Sequence, residues 1–135
     1  MDIVIDFDGT CALHGYPKET EPKLERNAER VLKLLVENGH NLILSTMRSD
    51  GDVSLKVFGT PYGLTDAIGW FKDREIPLYG IQTHPTQNTW TTSPKAYGKL
   101  IIDDTGIGCP LMTIRGKKVV DWYGVEKLLK ERGIL

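Results

Sequence analysis

The chain alternates short unbroken apolar runs with longer stretches in which apolar residues recur every three or four positions. Ile3-Val4-Ile5 is an uninterrupted β-branched run, the pattern of a strand covered on both faces in a parallel sheet. Leu24, Ala28, Val31, Leu32 and Leu35 then fall at helical spacing. Pro22 suits the first turn of that helix and Gly39 its stop. Asn41 to Ser45 is a second apolar run, and Leu64, Ala67, Ile68 and Phe71 share one face of a helix predicted at about 64–74. Pro77 to Gln82, Leu100 to Ile102 and Leu111 to Ile114 are predicted as the third, fourth and fifth strands. Arg115-Gly116-Lys117 reads as a turn, with a short strand at 118–120 after it. A last helix runs from about Val125 to Arg132 and stops at Gly133.

This order predicts an α/β fold with a mostly parallel sheet. Because parallel sheets are normally covered on both faces, a three-layer α/β/α arrangement is expected. Two segments read as loops: 47–63, rich in Gly, Ser and Asp, and 83–94, with five threonines and two prolines. Both leave the carboxyl ends of predicted strands, so both are expected to border an active site. No internal repeat interrupts the pattern, and 135 residues form a single domain spanning 1–135.

Charge and cysteine content narrow the function classes. Seventeen Lys and Arg against eighteen Asp and Glu leave a formal net charge of −1, without the basic excess of a sequence-independent nucleic-acid binder. Cys11 and Cys109 are too few for a disulfide framework and lie in no metal-ligand spacing. No apolar run approaches a membrane span, and residues 1–6 do not form a secretory signal. The expectation is a cytoplasmic protein with no membrane association.

The acidic residues carry the chemical signal. Asp6 and Asp8 close the first predicted strand, and Asp103 and Asp104 close the fourth. A carboxylate at the end of a buried apolar strand is costly unless paired, hydrogen-bonded or metal-bound. Two acidic pairs on neighbouring strands would repel strongly without a cation, and several hard oxygen ligands suit Mg²⁺. Each pair taken alone reads equally well as a helix cap or an exposed strand end.

Ile3-Val4-Ile5-Asp6-Phe7-Asp8-Gly9-Thr10 resembles the first motif of the haloacid dehalogenase-like (HAD) superfamily. Leu42-Ile43-Leu44-Ser45-Thr46 resembles the second motif, Lys95 the third, and Leu100-Ile101-Ile102-Asp103-Asp104 the fourth. The set spans essentially the whole chain in order. The resemblance implies a Rossmann-like sheet of five strands in the order 5-4-1-2-3. It implies a Mg²⁺-dependent phosphatase in which Asp6 is the nucleophile and forms an aspartyl-phosphate. Asp8 is then the general acid and base. Gly9 admits a close backbone approach, with following amides forming an anion nest. Thr10 is expected to brace this turn. Thr46 binds a phosphoryl oxygen, with Ser45 as competitor. Lys95 neutralises transferred charge, with Lys99 as competitor. The implied Mg²⁺ ligands are Asp6, the Asp8 carbonyl, Asp104 and, directly or through water, Asp103. Thr105 departs from the Arg that often follows the two acids in this family.

Residues 11–20 have room for a small flap, and 47–94 leave no room for a second sheet. The chain therefore resembles a capless member, which implies an open site for a phosphorylated small molecule or macromolecule, or a lid borrowed from a second copy. Arg48 faces the same rim, where it contacts substrate phosphate or holds a loop carboxylate. Trp90 and His84 stack on a base or sugar, or pin a long loop; the pin is the preferred reading. His14 and His40 show no ligand spacing. Cys11 and Cys109 lie near the acids, where ordinary buried thiols are favoured over a redox pair. Two other functions compete with catalysis: a catalytically silent phosphate- or nucleotide-binding regulatory module of the same fold, and a phosphoacceptor receiver domain. The general acid at Asp8 argues against the first. The position of Asp6 on the first strand argues against the second.

Overall fold

A computed structural model describes residues Met1–Leu135, the whole chain. Its elements are β1 (Asp2–Ile5), α1 (Pro22–Glu37), β2 (Asn41–Leu44), α2 (Asp52–Phe58), α3 (Gly63–Asp73), β3 (Gly80–Ile81), β4 (Leu100–Ile102), β5 (Leu111–Ile114), β6 (Lys117–Val120) and α4 (Trp122–Glu131). Four strands form a parallel sheet in the order β3-β2-β1-β4. In register, Ile3 lies beside Leu42 and Leu100, and Ile5 beside Leu44 and Ile102. These residues point to one face. There they join Leu24, Ala28, Val31, Leu32 and Leu35 of α1, Ala67, Trp70 and Phe71 of α3, and Val125 and Leu129 of α4 in one core.

The expected fifth strand is not in this sheet. β5 pairs antiparallel with β6, Leu111 opposite Val120 and Ile114 opposite Lys117. The order 5-4-1-2-3 therefore stops at four strands. The reason is in the side chains: β5 alternates exposed Leu111 and Thr113 with half-buried Met112 and Ile114, which suits a half-wet hairpin and not a doubly covered strand. Arg115 and Gly116 both take positive φ, 51° and 76°, which matches the two-residue turn that right-twisted hairpins favour. The outer edge of β4 is left lining an apolar groove with Leu128 and Leu129 of α4.

The three-layer expectation is also corrected. The opposite sheet face holds Val4 and Ile43 against Ala96, while Ile101 stays 55% exposed. What covers it is the connection 82–99, which contains one short 3-10 turn at Gln87–Thr89 and no α-helix. Pro85, Pro94 and the threonines disfavour a helix there. Gln87 organises the segment. Its Oε1 accepts from the amides of His84 (2.8 Å) and Tyr97 (3.0 Å), and its Nε2 donates to the carbonyls of Ser93 (3.1 Å) and Lys95 (2.9 Å). His84 Nε2 donates to Asp2 Oδ2 at 2.8 Å, while Nδ1 accepts from the Thr86 amide. Asp2 is at the amino end of β1, so this loop leaves the rim where β1 and β4 end and does not border the acids, contrary to expectation. His84 is the pin. Trp90 is 58% exposed and meets the Tyr97 ring edge-on.

Segment 47–63 is likewise not all loop, because α2 lies within it. Val53, Leu55 and Val57 are exposed and spaced by two, so the apolar pattern does not carry the helical period. Glu25 ties α1 to α3: its carboxylate accepts from the Glu21 amide, the Trp70 indole and Arg74. No helix is long and apolar enough to cross a membrane.

Replacing Gln87 with Ala strands the buried His84 amide, the half-buried Tyr97 amide and two carbonyls. The variant is expected to lose roughly 2–3 kcal/mol in urea unfolding. Hydrogen exchange is expected to rise across residues 82–99 while β1 and β2 stay protected.

Candidate functional site

The strand ends of β1 and β4 bring three carboxylates together. One oxygen each from Asp6, Asp103 and Asp104 lie within 4.8 Å of one another. They converge because β1 and β4 are adjacent and in register, Ile5 beside Ile102, so the next residues emerge side by side. Thr10 bridges them. Its hydroxyl lies 2.9 Å from Asp6 Oδ2 and 3.3 Å from Asp104 Oδ1, and it accepts the Asp104 amide at 3.2 Å. Thr10 is fully buried, as a brace should be. Asp103 is held by the Thr105 amide and hydroxyl, at 2.9 and 2.8 Å, so Thr105 orients an acid.

No lysine or arginine forms an ion pair with any of the three carboxylates. Burial, the Asp104 carboxyl and the Asp103 charge push Asp6 up to about 8. Burial likewise raises Asp104. Crowded carboxylates that resist ionisation are a donor set a divalent cation would relieve, and three hard oxygens fit Mg²⁺. The Asp8 carbonyl, two residues after Asp6, accepts no hydrogen bond.

Gly9 makes this approach possible. It has φ +76°, and a Cβ there would sit 2.6 Å from Asp104 Oδ2. The expected anion nest is not formed by the residues after it. The amides of Gly9, Thr10, Cys11 and Ala12 are all bonded within the loop, to the carbonyls of Ala12 and Phe7. Folding this tight loop consumes donors that the sequence leaves open.

Asp8 sits in a different environment. Arg48 Nε lies 3.0 and 3.1 Å from its two oxygens, and Nη2 lies 2.8 Å from Oδ1. The Arg48 side chain is completely buried. Its remaining donors reach the carbonyls of Gly63, His14 and Tyr16, and the rings of Phe7 and Phe58 flank the guanidinium at 5.0 and 4.9 Å. Of its two open readings, Arg48 holds a loop carboxylate, and that carboxylate is Asp8. Thr46 joins this assembly, its hydroxyl oxygen accepting the Arg48 amide at 3.1 Å. Gln82, just past β3, clamps the same loop, accepting the Thr46 amide and donating to the Thr46 carbonyl. Ser45 only extends the ladder, its amide bonded to Ile5.

Lys95 is not brought in. It is exposed on the 82–99 segment, and its ammonium forms no ion pair. Instead, Lys117 and Lys118 of β6 join Asp8, Gly9, His14 and Asp104 around a recess of about 200 Å³. These lysines gave no sequence signal, because a turn and a short strand are all the local pattern reveals. Cys11 is buried with its thiol on the Asp6 carbonyl. Burial pushes both Cys11 and Cys109 up, so neither thiol is poised as a thiolate.

A raised Asp6 binds its proton more tightly in the folded state than in the unfolded chain, where a carboxylate titrates near about 4. Its contribution to stability is therefore full at low pH and is lost as pH rises toward about 8. In EDTA the melting temperature is expected to fall from about pH 5 to about pH 8, and the rise produced by Mg²⁺ to grow over the same range. Gly9→Ala is expected to abolish that Mg²⁺ response. Arg48→Met leaves a half-buried Asp8 without its ionic partner and three carbonyls without their donor, and is expected to cost roughly 2–3 kcal/mol in chemical denaturation.

No family model and no curated protein matches the sequence. A solved structure of a conserved protein from Bacteroides thetaiotaomicron is similar, with 30% sequence identity and a TM-score of 0.68, over 98% of this chain and 91% of that one. At that identity and coverage, the chain belongs to the same family as the Bacteroides thetaiotaomicron protein.

Proposed function

We propose that this chain is a phosphomonoester hydrolase that acts through an aspartyl-phosphate on Asp6, with Mg²⁺ as its cofactor. The observation that supports it most is the unequal treatment of two acids on one strand end. Asp6 faces Asp103 and Asp104 within 4.8 Å and has no cation of its own, whereas Asp8 is clamped by a buried Arg48. Paired acids in contrasting environments are how one site divides nucleophile and proton-transfer roles. The motif resemblance to HAD phosphatases points the same way.

Asp6, Asp103, Asp104 and the Asp8 carbonyl would hold the ion. When bound, Mg²⁺ neutralises the clustered carboxylates and the substrate phosphate. In the first half-reaction an Asp6 oxygen attacks phosphorus. The bond from phosphorus to the leaving oxygen breaks, and that oxygen takes a proton carried by Asp8. In the second half Asp8 removes a proton from water, the water oxygen attacks phosphorus, and the bond to Asp6 breaks. Phosphate leaves and both acids return to their starting forms. Arg48 positions Asp8: Oδ1 takes two of its close contacts and Oδ2 one, so Oδ2 is the freer oxygen for proton transfer. The Thr46 hydroxyl oxygen already accepts the Arg48 amide, which leaves its proton for a phosphoryl oxygen.

Phosphate release from an aryl phosphate tests the reading. Wild type is expected to be active with Mg²⁺ and silent in EDTA. Asp6→Asn should lose on the order of a thousandfold or more, and Asp8→Asn roughly 100- to 10,000-fold. Acid quenching of Asp8→Asn should trap phosphate on Asp6. Activity that survives EDTA, or survives in Asp6→Asn, would overturn the proposal.

A further inference from the structure

The β5–β6 hairpin forms one wall of the recess beside Asp8 and Asp104, through Lys117, Lys118 and Val119. It is fastened to the loop that carries Asp8. The Val120 amide donates to the Gly9 carbonyl at 2.9 Å, and the Trp122 indole, just past the hairpin, donates to the Thr10 carbonyl at 2.7 Å. Of the hairpin's cations, Arg115 is engaged by Glu21 and Lys117 by Glu19. Lys118 forms no ion pair and no hydrogen bond through its side chain, and it lines the recess. Arg48 is committed to Asp8 and three carbonyls. Lys118 is therefore the uncommitted lysine in a recess whose other charged walls are Asp8, Asp104 and the Glu19-paired Lys117.

In the reaction proposed above, Asp8 gives its proton to the departing oxygen. The leaving group must then lie within hydrogen-bond reach of Asp8, and so in this recess, where its substituents meet Lys118 and His14. A cation on the leaving-group side selects by charge and not by shape. A second phosphate, doubly charged and rich in acceptors, is the group that an ammonium with three donors serves best. A recess of about 200 Å³ suits a sugar-sized alcohol. We propose that Lys118 forms a subsite for a second phosphate on the leaving group, so that small bisphosphates are preferred to monophosphates. The inference rests on the phosphomonoesterase reading.

The test compares fructose 1,6-bisphosphate with fructose 6-phosphate, as the ratio of their kcat/KM values in Mg²⁺. Wild type should favour the bisphosphate by roughly tenfold or more, the scale of one charge-assisted contact. Lys118→Ala should bring the ratio close to one, Lys118→Arg should keep it, and Lys127→Ala, on the exposed side of α4, should not change it. A wild-type ratio near one, or a ratio that Lys118→Ala leaves intact, overturns the subsite while the phosphatase reading stands. If wild type hydrolyses neither ester nor an aryl phosphate, the phosphatase reading falls instead. Calorimetric binding of the two esters to wild type and Lys118→Ala then decides the subsite: a preference for the bisphosphate that the variant loses supports it, and equal affinities overturn it.

Discussion

The Arg48–Asp8 pair is the contact on which the architecture of the site depends. A guanidinium with no solvent exposure is tolerable only if its charge is paired and its donors are satisfied. Arg48 meets both conditions at once, and in doing so it joins four segments. It reaches Asp8 after β1, the His14 and Tyr16 carbonyls of the turns before α1, the Gly63 carbonyl at the start of α3, and Thr46 through its own amide. Phe7 and Phe58 flank its faces and exclude water, which strengthens every one of these bonds. Such a pair does not add much net stability over an apolar substitute. What it secures is the direction of one carboxylate relative to the strand end.

The neighbouring carboxylates show the opposite economy. Asp6, Asp103 and Asp104 have no basic partner, and the fold brings them close with a glycine and a bridging threonine. Sites commonly hold such local cost against the stability of the surrounding domain. Here the surrounding stability comes from one large core, in which α1, α3 and α4 pack on the same sheet face. The site thus pairs a charge-compensated acid with a group of uncompensated ones, Asp8 and Asp104 lining the same recess, and the proposed division of roles grows from that contrast.

The two irregular parts of the fold act on different ends of the sheet. The 82–99 segment replaces a helix on the second face and is held at the amino end of β1 by His84 and Asp2. It is a cover. The β5–β6 hairpin, displaced from the sheet, is held at Gly9 and stands over the carboxyl ends. It is a wall of the recess, to which it brings Lys117 and Lys118, while Lys95 stays on the 82–99 segment.

The sequence by itself determined the elements whose signal is local. The β-branched run before Asp6, the Pro22 start and Gly39 stop of α1, the Arg115-Gly116 turn and the acids at two strand ends are all legible, because strand burial, helix period and turn chemistry are written in neighbouring residues. It also placed Asp6, Asp103 and Asp104 at the ends of two strands, which the sheet brings side by side. Only the tertiary structure decided what depends on contacts distant in the chain. Arg48 could have met substrate or a carboxylate, and its choice of Asp8 is made across 40 positions. The polar alternation of β5 sent it to a hairpin and not to the edge of β4, so the sheet has four strands and Lys118 reaches the recess. Gln87 and His84 turned a predicted rim loop into a cover for the far face. For Arg48 and His84 the deciding energy is a buried polar side chain finding a carboxylate 40 and 82 positions away, and no window of adjacent residues contains both halves of that bond.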